Sequence, residues 1–215
     1  MICVIAASMP EKDLYIPGGS FCIAADKGLL QLRERGTEPD LVVGDFDSLG
    51  YVPQARELVR HPVEKDDTDM MLAVREGLRR GYRQFLLYGG LGGRLDHTLA
   101  NIQTLGFLCA HGARGLLYGE GTALTLLEHG TIRFPASAQG TVSVFCYGDE
   151  AAGVTETGLY YPLENAALTN TFPLGVSNAF CGRESAVFVQ KGKLLLLWQS
   201  TAKAACKILF GQSGS

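Results

Sequence analysis

Two carboxylates stand one residue apart at the end of an apolar run, in the stretch PDLVVGDFDSLG over residues 39–50. Like charges so close repel each other unless a cation lies between them. On an extended chain, the side chains of Asp45 and Asp47 point to the same side. Mg²⁺ suits such a pair, because it favours one or two carboxylates together with substrate phosphates. Both residues are also common turn formers, so a structural role stays open.

A second acidic group lies in HPVEKDDTDMML, residues 61–72. Asp66 and Asp69 are three residues apart at the start of a predicted helix, where they can share one face. Acidic residues also suit a helix N-terminus through capping and the macrodipole, which is the structural alternative. A helix N-cap does not require a lysine, so Lys65 could instead contact a phosphate as a point charge.

A glycine-rich segment, FLLYGGLGGRLDHTLAN over residues 85–101, places four glycines within five residues between a strand and a helix. Glycines such as Gly92 and Gly93 let backbone amides approach an anion closely, and a helix N-terminus attracts phosphate. Arg94 adds a planar fork suited to phosphate oxygens, and Asp96 and His97 follow in the first helical turn. The spacing fits neither a P-loop nor a dinucleotide fingerprint, and His97 taken alone favours a structural role.

The elements that must position these residues change in character along the chain. Up to about residue 128, short apolar runs (ICVIAA, FCIAA, LVVGD, FLLYGG, GLLYG) predict buried strands, and helices are predicted near 27–35, 54–60, 68–80 and 95–111. Beyond it, TIRFP, TVSVFCYG, GLYYPL, SAVFVQKG and KLLLLW predict antiparallel strands. We therefore predict an α/β domain over 1–128, with a mostly parallel sheet flanked by helices, and an antiparallel β-sandwich domain over 129–215.

This arrangement brings the three segments to one crevice, because ligands of parallel sheets bind beyond the carboxyl ends of the strands. Two acidic clusters and a glycine–arginine loop are typical of a magnesium-dependent phosphoryl or pyrophosphoryl transferase. The net charge of −3, without a basic stripe, argues against nucleic acid as a partner. No apolar run reaches the length of a membrane span. Six scattered cysteines indicate reduced core residues, and hence a cytoplasmic protein.

The sequence resembles the thiamine pyrophosphokinase (thiamine diphosphokinase) family. The matching segments are AADKGLLQL, PDLVVGDFDSL, EKDDTDMMLAV, GGLGGRLDHTLAN and GVSNAF, in the order of the family and over most of the chain. The resemblance implies an N-terminal domain that binds ATP, a C-terminal β-sandwich that binds thiamine, and a homodimer with substrate sites near the subunit interface. It also implies transfer of the pyrophosphoryl group of ATP to the hydroxyl of thiamine, giving thiamine diphosphate and AMP.

Site residues follow from the matched motifs. The resemblance implies that Mg²⁺ is bound by four carboxylates: Asp45, Asp47, Asp66 and Asp69. Catalytic residues are expected to be Asp45, Asp47, Asp69 and Arg94, and either Asp69 or Asp96 could accept the hydroxyl proton. Substrate contacts are expected from Asp26, Lys65, Gly92, Gly93, Asp96, Ser177, Asn178 and Trp198. Trp198, the only tryptophan, falls where some members stack one on thiamine; packing in the core is the alternative.

Two other functions stay open at this level. A pyrophosphokinase for another heterocyclic alcohol, such as a hydroxymethylpterin, would keep the acidic residues and change the C-terminal pocket. A non-catalytic nucleotide-binding sensor on the same fold would have no need of the metal-facing carboxylates. The assignment of the tail after Trp198, TAKAACKILFGQSGS, is left open by the sequence.

Overall fold

The structure, a computed structural model, describes residues 1–47, 50–61 and 67–211. The chain divides into two compact units, Met1–Glu120 and Gly121–Ser215. The sequence predicted the division after residue 128. A long strand, Thr122–Phe134, runs across that position and belongs to the second unit. Its first half, TALTLLE, is as apolar as the strands before it, so composition did not mark the change.

The first unit is built on a parallel sheet. Its strands are β1 (Ile2–Ala6), β2 (Phe21–Ala25), β3 (Leu41–Gly44), β4 (Leu58–Arg60), β5 (Gln84–Tyr88) and β6 (Arg114–Gly119). They lie in the order β6-β5-β1-β2-β3-β4, and each neighbouring pair is parallel. The five predicted strands are thereby confirmed. Their almost continuous burial is that of a sheet covered on both faces.

Three helices connect these strands: α1 (Gly28–Arg33), α2 (Asp69–Arg79) and α3 (Leu95–Ala110). The start of α2 is fixed by Thr68, whose hydroxyl accepts the backbone N–H of Met71 at 3.2 Å. At the start of α1, a Cβ on Gly28 would collide with the carbonyl of Ala6, so only glycine lets this helix approach β1.

The predicted helix over 54–60 is wrong. Residues Leu58–Arg60 form β4, which pairs in parallel with β3 through Val42↔Leu58, Val43↔Val59 and Gly44↔Arg60. The segment QARELVR has helix-forming residues, but pairing with an open sheet edge outweighs so short a propensity.

The second unit is antiparallel. Its strands are β7 (Thr122–Phe134), β8 (Thr141–Cys146), β9 (Glu150–Thr157), β10 (Leu163–Thr169), β11 (Gly175–Ala179) and β12 (Ser185–Gln199), followed by α4 (Ala202–Phe210). The order is β10-β9-β12-β7, and β8 pairs with both β12 and β11. The two predicted strands SAVFVQKG and KLLLLW are one long strand, β12, with a register shift between Val189 and Lys193. On either side of that shift, β12 pairs with β9 and then with β8.

Two differences from the predicted elements concern strands, and the tail, which the sequence left unassigned, forms a helix. Strand β9, EAAGVTET, lacks a clear apolar alternation and was missed. The predicted strand GLYYPL is mostly a connection: Leu159 makes an isolated bridge to Phe180, and β10 begins at Leu163. The tail forms α4, whose Thr201 caps the helix and whose Ala205, Cys206 and Leu209 are buried.

The six cysteines are free thiols, three of them buried: Cys3, Cys22 and Cys206. Burial raises the pKa of the Cys22 thiol to about 11, and it raises the pKa of Cys3 further. Such thiols behave as small apolar core residues. Within the described part of the chain, no helix has the length and apolarity needed to cross a membrane.

Candidate active site

A cavity of about 580 Å³ lies in the first unit, at the carboxyl ends of β1 and β5. The sheet order reverses between these strands, since β2, β3 and β4 extend from one side of β1 and β5 lies on the other. Such a reversal opens a crevice in which α/β proteins bind ligands. The described residues that line the cavity are Ala7, Ser8, Met9, Lys27, Thr68, Asp69, Met70, Gly89, Gly90, Gly92, Arg94, His97 and Asn101.

The glycine-rich segment forms one wall of this cavity. Gly89, Gly92 and Gly93 adopt positive φ values of 74°, 81° and 64°. A Cβ on Gly89 would lie 2.7 Å from the carbonyl oxygens of both Ala7 and Met9, so no larger residue fits there. The buried Asn101 of α3 donates from Nδ2 to the carbonyl of Gly90 at 2.9 Å, which fixes the loop on the helix.

Arg94 precedes α3, lines the cavity and forms a bidentate pair with Asp96. Its Nε and Nη2 donate to Oδ1 and Oδ2 of Asp96 at 3.1 and 2.6 Å. The hydrogen bond from Arg94 lowers the pKa of Asp96, and the backbone N–H of His97, which donates to Asp96 at 2.9 Å, acts in the same direction. Asp96 therefore orients the guanidinium and is not itself among the residues lining the cavity.

The acidic residues are only partly brought together. Asp69, in the first turn of α2, lines the cavity. Asp45 and Asp47 follow β3 and are not lining residues. The expected extended chain between them is wrong, because the intervening Phe46 has φ of +66° and is buried in a cluster with Leu29 of α1. Asp45 Oδ1 instead accepts the backbone N–H of Asp47 at 3.1 Å, as in a side-chain-stabilised turn.

The remaining predicted residues of the first unit lie around this region or outside the described residues. Asp26 is buried in the turn after β2, with φ of +51° and its N–H donating to the carbonyl of Val43 at 2.9 Å. Lys65 and Asp66 lie outside the described residues. Over the ranges 1–47, 50–61 and 67–211, no three His, Cys, Asp or Glu side chains form a group that could hold a metal ion. With Asp66 outside the described residues, the four-carboxylate magnesium site stays a prediction.

In the second unit, Asn178 uses its whole side-chain amide within the protein. Its Nδ2 donates to Oε2 of Glu156 at 2.8 Å and to the carbonyl of Tyr161 at 2.6 Å. Its Oδ1 accepts the backbone N–H groups of Tyr161 and Ala179, both at 2.9 Å. Asn178 thus fixes the connection before β10 onto β11. The neighbouring Ser177 is exposed and has φ of +61°.

Glu156, the partner of Asn178, is a fully buried carboxyl group. Burial raises its pKa, and the hydrogen bond from Asn178 opposes that shift. Within the described residues, its Oε1 has no hydrogen-bond partner. The group is therefore held in an environment that disfavours its charged form.

Trp198 is only 2% exposed and meets Phe134 edge to face, with ring centroids 5.6 Å apart. This placement favours the core-packing alternative over stacking on a ligand. The exposed aromatic side chains of the unit include Tyr160 and Tyr161, which are 65% and 64% exposed and whose ring centroids lie 4.9 Å apart. Asn178 holds the backbone of Tyr161, so this pair is displayed by the predicted SN motif.

Sequence reasoning missed several lining residues. Lys27 lies within the matched segment AADKGLLQL but has no site pattern of its own, and Ser8 and Asn101 belong to no recognisable pattern. The sequence favours a structural role for His97, yet His97 lines the cavity together with Arg94. Its place in the first turn after a glycine–arginine segment was the available clue.

The fold and the cavity define a class: an α/β unit with a glycine-rich crevice at a strand-order reversal, in one chain with an antiparallel β unit. Two family models match these parts in succession. "Thiamin pyrophosphokinase, catalytic domain" matches residues 13–114, and "Thiamin pyrophosphokinase, vitamin B1 binding domain" matches residues 129–196. The chain belongs to the thiamin pyrophosphokinase family.

Individual relatives agree with this assignment. The chain is 26% identical to a thiamine pyrophosphokinase of Bacillus subtilis over 196 residues, which cover 88% of this chain and 92% of that protein. A crystal structure of thiamine pyrophosphokinase from Bacillus subtilis superposes with a TM-score of 0.82 at 25% identity, covering 93% of this chain and 98% of the other. One from Geobacillus thermodenitrificans gives 0.79 at 27% identity, covering 95% and 100%. The matched vitamin B1 binding domain favours thiamine over a pterin alcohol.

Proposed function

We propose that this protein is a thiamine pyrophosphokinase, which transfers the pyrophosphoryl group of ATP to the primary hydroxyl of thiamine and releases AMP. The observation that carries the proposal is that both family domains occur in order in one chain. The first of them holds a cavity with a glycine loop, Arg94 and Asp69. Attack of the thiamine oxygen on the β-phosphorus of ATP forms the new P–O bond and breaks the bond between the α- and β-phosphoryl groups.

The phosphates of ATP would bind against the glycine loop. Gly89 and Gly92 have positive φ, a conformation that anion-binding loops use to present backbone amides. Arg94 provides a guanidinium already oriented by Asp96, and Lys27 adds an ammonium group in the same cavity. These cations would offset the charge that develops on the transferring group.

Mg²⁺ is the cofactor we propose, and the donor chemistry of the cavity fits it. Magnesium takes few protein ligands and shares substrate phosphates, so it needs no cluster of three carboxylates. Among the described residues, Asp69 is the carboxylate that lines the cavity, and Asp45, Asp47 and Asp66 stay predicted ligands. When bound, Mg²⁺ neutralises phosphate charge.

The proton of the thiamine hydroxyl needs an acceptor. Asp96 is poorly suited, because its carboxylate is committed to Arg94 and its pKa is lowered by that bond. A weak base transfers protons inefficiently near neutral pH. Asp69, inside the cavity, is the acceptor we favour.

The thiazolium ring of thiamine carries a positive charge, which suits an aromatic surface. Tyr160 and Tyr161 supply such a surface in the second unit, whereas Trp198 is enclosed in the core. We therefore propose the tyrosine pair as the stacking element, with Asn178 as the residue that positions it. Ser177 stays a predicted thiamine contact.

Homodimer formation and a cytoplasmic location are also part of the proposal, on the strength of the family resemblance and of six free cysteines. Analytical ultracentrifugation of the purified protein would measure whether it forms a homodimer. A dimer is expected at micromolar concentration, and a monomer under all conditions would refute it.

The activity itself is tested by incubating the protein with ATP, Mg²⁺ and thiamine and separating the nucleotides. Equal amounts of AMP and thiamine diphosphate are expected. ADP as the product, or turnover with a hydroxymethylpterin in place of thiamine, would overturn the assignment. ATP without thiamine is the matched control.

A further inference from the structure

The segment after β1 is wrapped around one buried glutamine of α1. Gln31 is 5% exposed, and its Nε2 donates to the carbonyl oxygens of Ala7 at 2.6 Å and Met9 at 3.3 Å. Its Oε1 accepts the backbone N–H of Glu11 at 3.1 Å. One side-chain amide therefore bonds three backbone groups within five residues of the chain.

Glu11 continues the same network. It is 7% exposed, and its two carboxylate oxygens accept the backbone N–H groups of Asp13 at 2.9 Å and Glu120 at 3.0 Å. Its own carbonyl accepts a hydrogen bond from Nη2 of Arg35 at 2.5 Å. Buried carboxylates are costly unless their oxygens are bonded in this way.

The network contacts two segments that line the cavity of the first unit: the loop after β1 and the glycine loop. Residues 7–9 line one side, and they press against Gly89, where a Cβ would lie 2.7 Å from two of their carbonyl oxygens. Glu11 accepts a hydrogen bond from the backbone N–H of Glu120. The Oε1 of Glu120 in turn lies close to Gly92, at 2.9 Å from the position that a Cβ on Gly92 would take. Glu11 and Gln31 thus bond the loop after β1 directly, and Glu11 also holds Glu120, whose side chain lies against the glycine loop.

From this geometry we propose that Gln31 and Glu11 are positioning residues for ATP: they contact no substrate, and they hold the two loops at the separation that the phosphates require. The proposal rests on the proposed function. A purely structural role would satisfy buried groups and leave substrate binding unchanged. Positioning predicts instead a selective effect on ATP, because both bonds from Gln31 Nε2 end on the loop that lines the cavity.

Replacing Gln31 by Met keeps the length of the side chain and removes all three hydrogen bonds. We expect the Kd and KM for ATP to rise roughly tenfold, on the scale of one to two lost hydrogen bonds. The KM for thiamine should stay within about twofold, since its stacking element lies in the second unit. Gln103→Met, an exposed position of α3, is the matched control and should leave both KM values unchanged.

A second variant covers the case in which Gln31→Met does not fold. Glu11→Gln is nearly isosteric, but its amide nitrogen cannot accept one of the two N–H groups, so a several-fold rise in the KM for ATP is again expected. Glu34→Gln, at an exposed site beside α1, is its control. ATP binding is measured by calorimetry on the whole chain with Mg²⁺ and without thiamine, which makes it independent of turnover.

The outcomes are distinct. A lower melting temperature with unchanged Kd and KM for ATP in a folded variant would overturn the positioning role. Equal increases in the KM for ATP and for thiamine would do the same. A wild-type protein that binds ATP but forms no thiamine diphosphate would refute the proposed function instead, and the ATP Kd of the variants would still decide the inference.

Discussion

Replacing Glu156 by Gln should change how the free energy of unfolding depends on pH. Glu156 lies on β9, fully buried, between Leu163 of β10 and Val187 of β12. Burial raises its pKa, with the hydrogen bond from Asn178 as the opposing contribution. The folded protein therefore retains the proton at pH values where the unfolded chain has already released it.

The sign and size of the effect follow from linkage. The stability given by protonated Glu156 is fully present below the unfolded pKa, about 4.3, and is lost as pH rises through the folded pKa. Inside that window the folded state binds one proton more than the unfolded state. Stability then falls by about 1.4 kcal/mol per pH unit relative to a variant that cannot titrate. Glu156→Gln is such a variant, and the carbonyl of the introduced amide can still accept the hydrogen bond from Asn178.

The assay compares urea unfolding of the wild type and Glu156→Gln between about pH 4.5 and pH 8. Fluorescence of Trp198, the only tryptophan, reports the second unit, where it is buried. The wild type should lose stability relative to the variant as pH rises. Glu164→Gln, exposed on β10, is the control and should give a curve parallel to the wild type. Parallel curves for Glu156→Gln as well would refute the reasoning.

Three other substitutions test the site. Asp69→Asn should lower kcat for AMP release about a hundredfold at an unchanged melting temperature, and near-wild-type turnover would remove Asp69 from the mechanism. Arg94→Lys keeps the charge but loses the bidentate bond to Asp96; activity should fall clearly while the melting temperature stays constant, since both side chains are exposed. Tyr161→Ala should raise the Kd for thiamine roughly tenfold without loss of stability, whereas Trp198→Ala should destabilise the protein by about 3–5 kcal/mol. The reverse pattern in calorimetry and thermal melts would restore Trp198 as the stacking residue.

The sequence predicted the parallel sheet well because its strands are buried on both faces and read as short apolar runs, such as LVVG of β3 and FLLY of β5. It also located the glycine loop, Arg94 and Asp69 at the cavity, because residues after parallel strands meet at one edge. The fold class and the family of the two domains could thus be inferred from motifs alone.

The features that could not be predicted depend on contacts between distant segments. Strand β4 forms because it can pair with the open edge of β3. Helix propensity depends only on the local sequence and does not include such pairing. Trp198 pairs with Ala123 and Val142 on neighbouring strands, and this register fixes its burial. The cavity residues Ser8 and Asn101 are placed by the network of the loops rather than by any local pattern.

The motifs that identified the family share a backbone property. Phe46 in GDFDS, Ser177 in GVSN and Gly89 in the glycine loop all adopt positive φ values. For Phe46 and Ser177 this conformation is strained, so neighbouring bonds must hold it. Asp45 accepts the N–H of Asp47 across Phe46. Next to Ser177, the side-chain amide of Asn178 makes four hydrogen bonds within the protein.

These polar motif residues therefore form hydrogen bonds within the protein that fix the local backbone. An aspartate that closes a turn, or an asparagine that holds a connection, looks the same in a sequence as a metal or substrate ligand. The structure separates the two roles by whether the side chain still has capacity to bind. Asn178 has none left, since its amide makes four internal bonds. Under the proposed function, an effect of Asn178 on thiamine would therefore be indirect, through the backbone of Tyr161 that it holds.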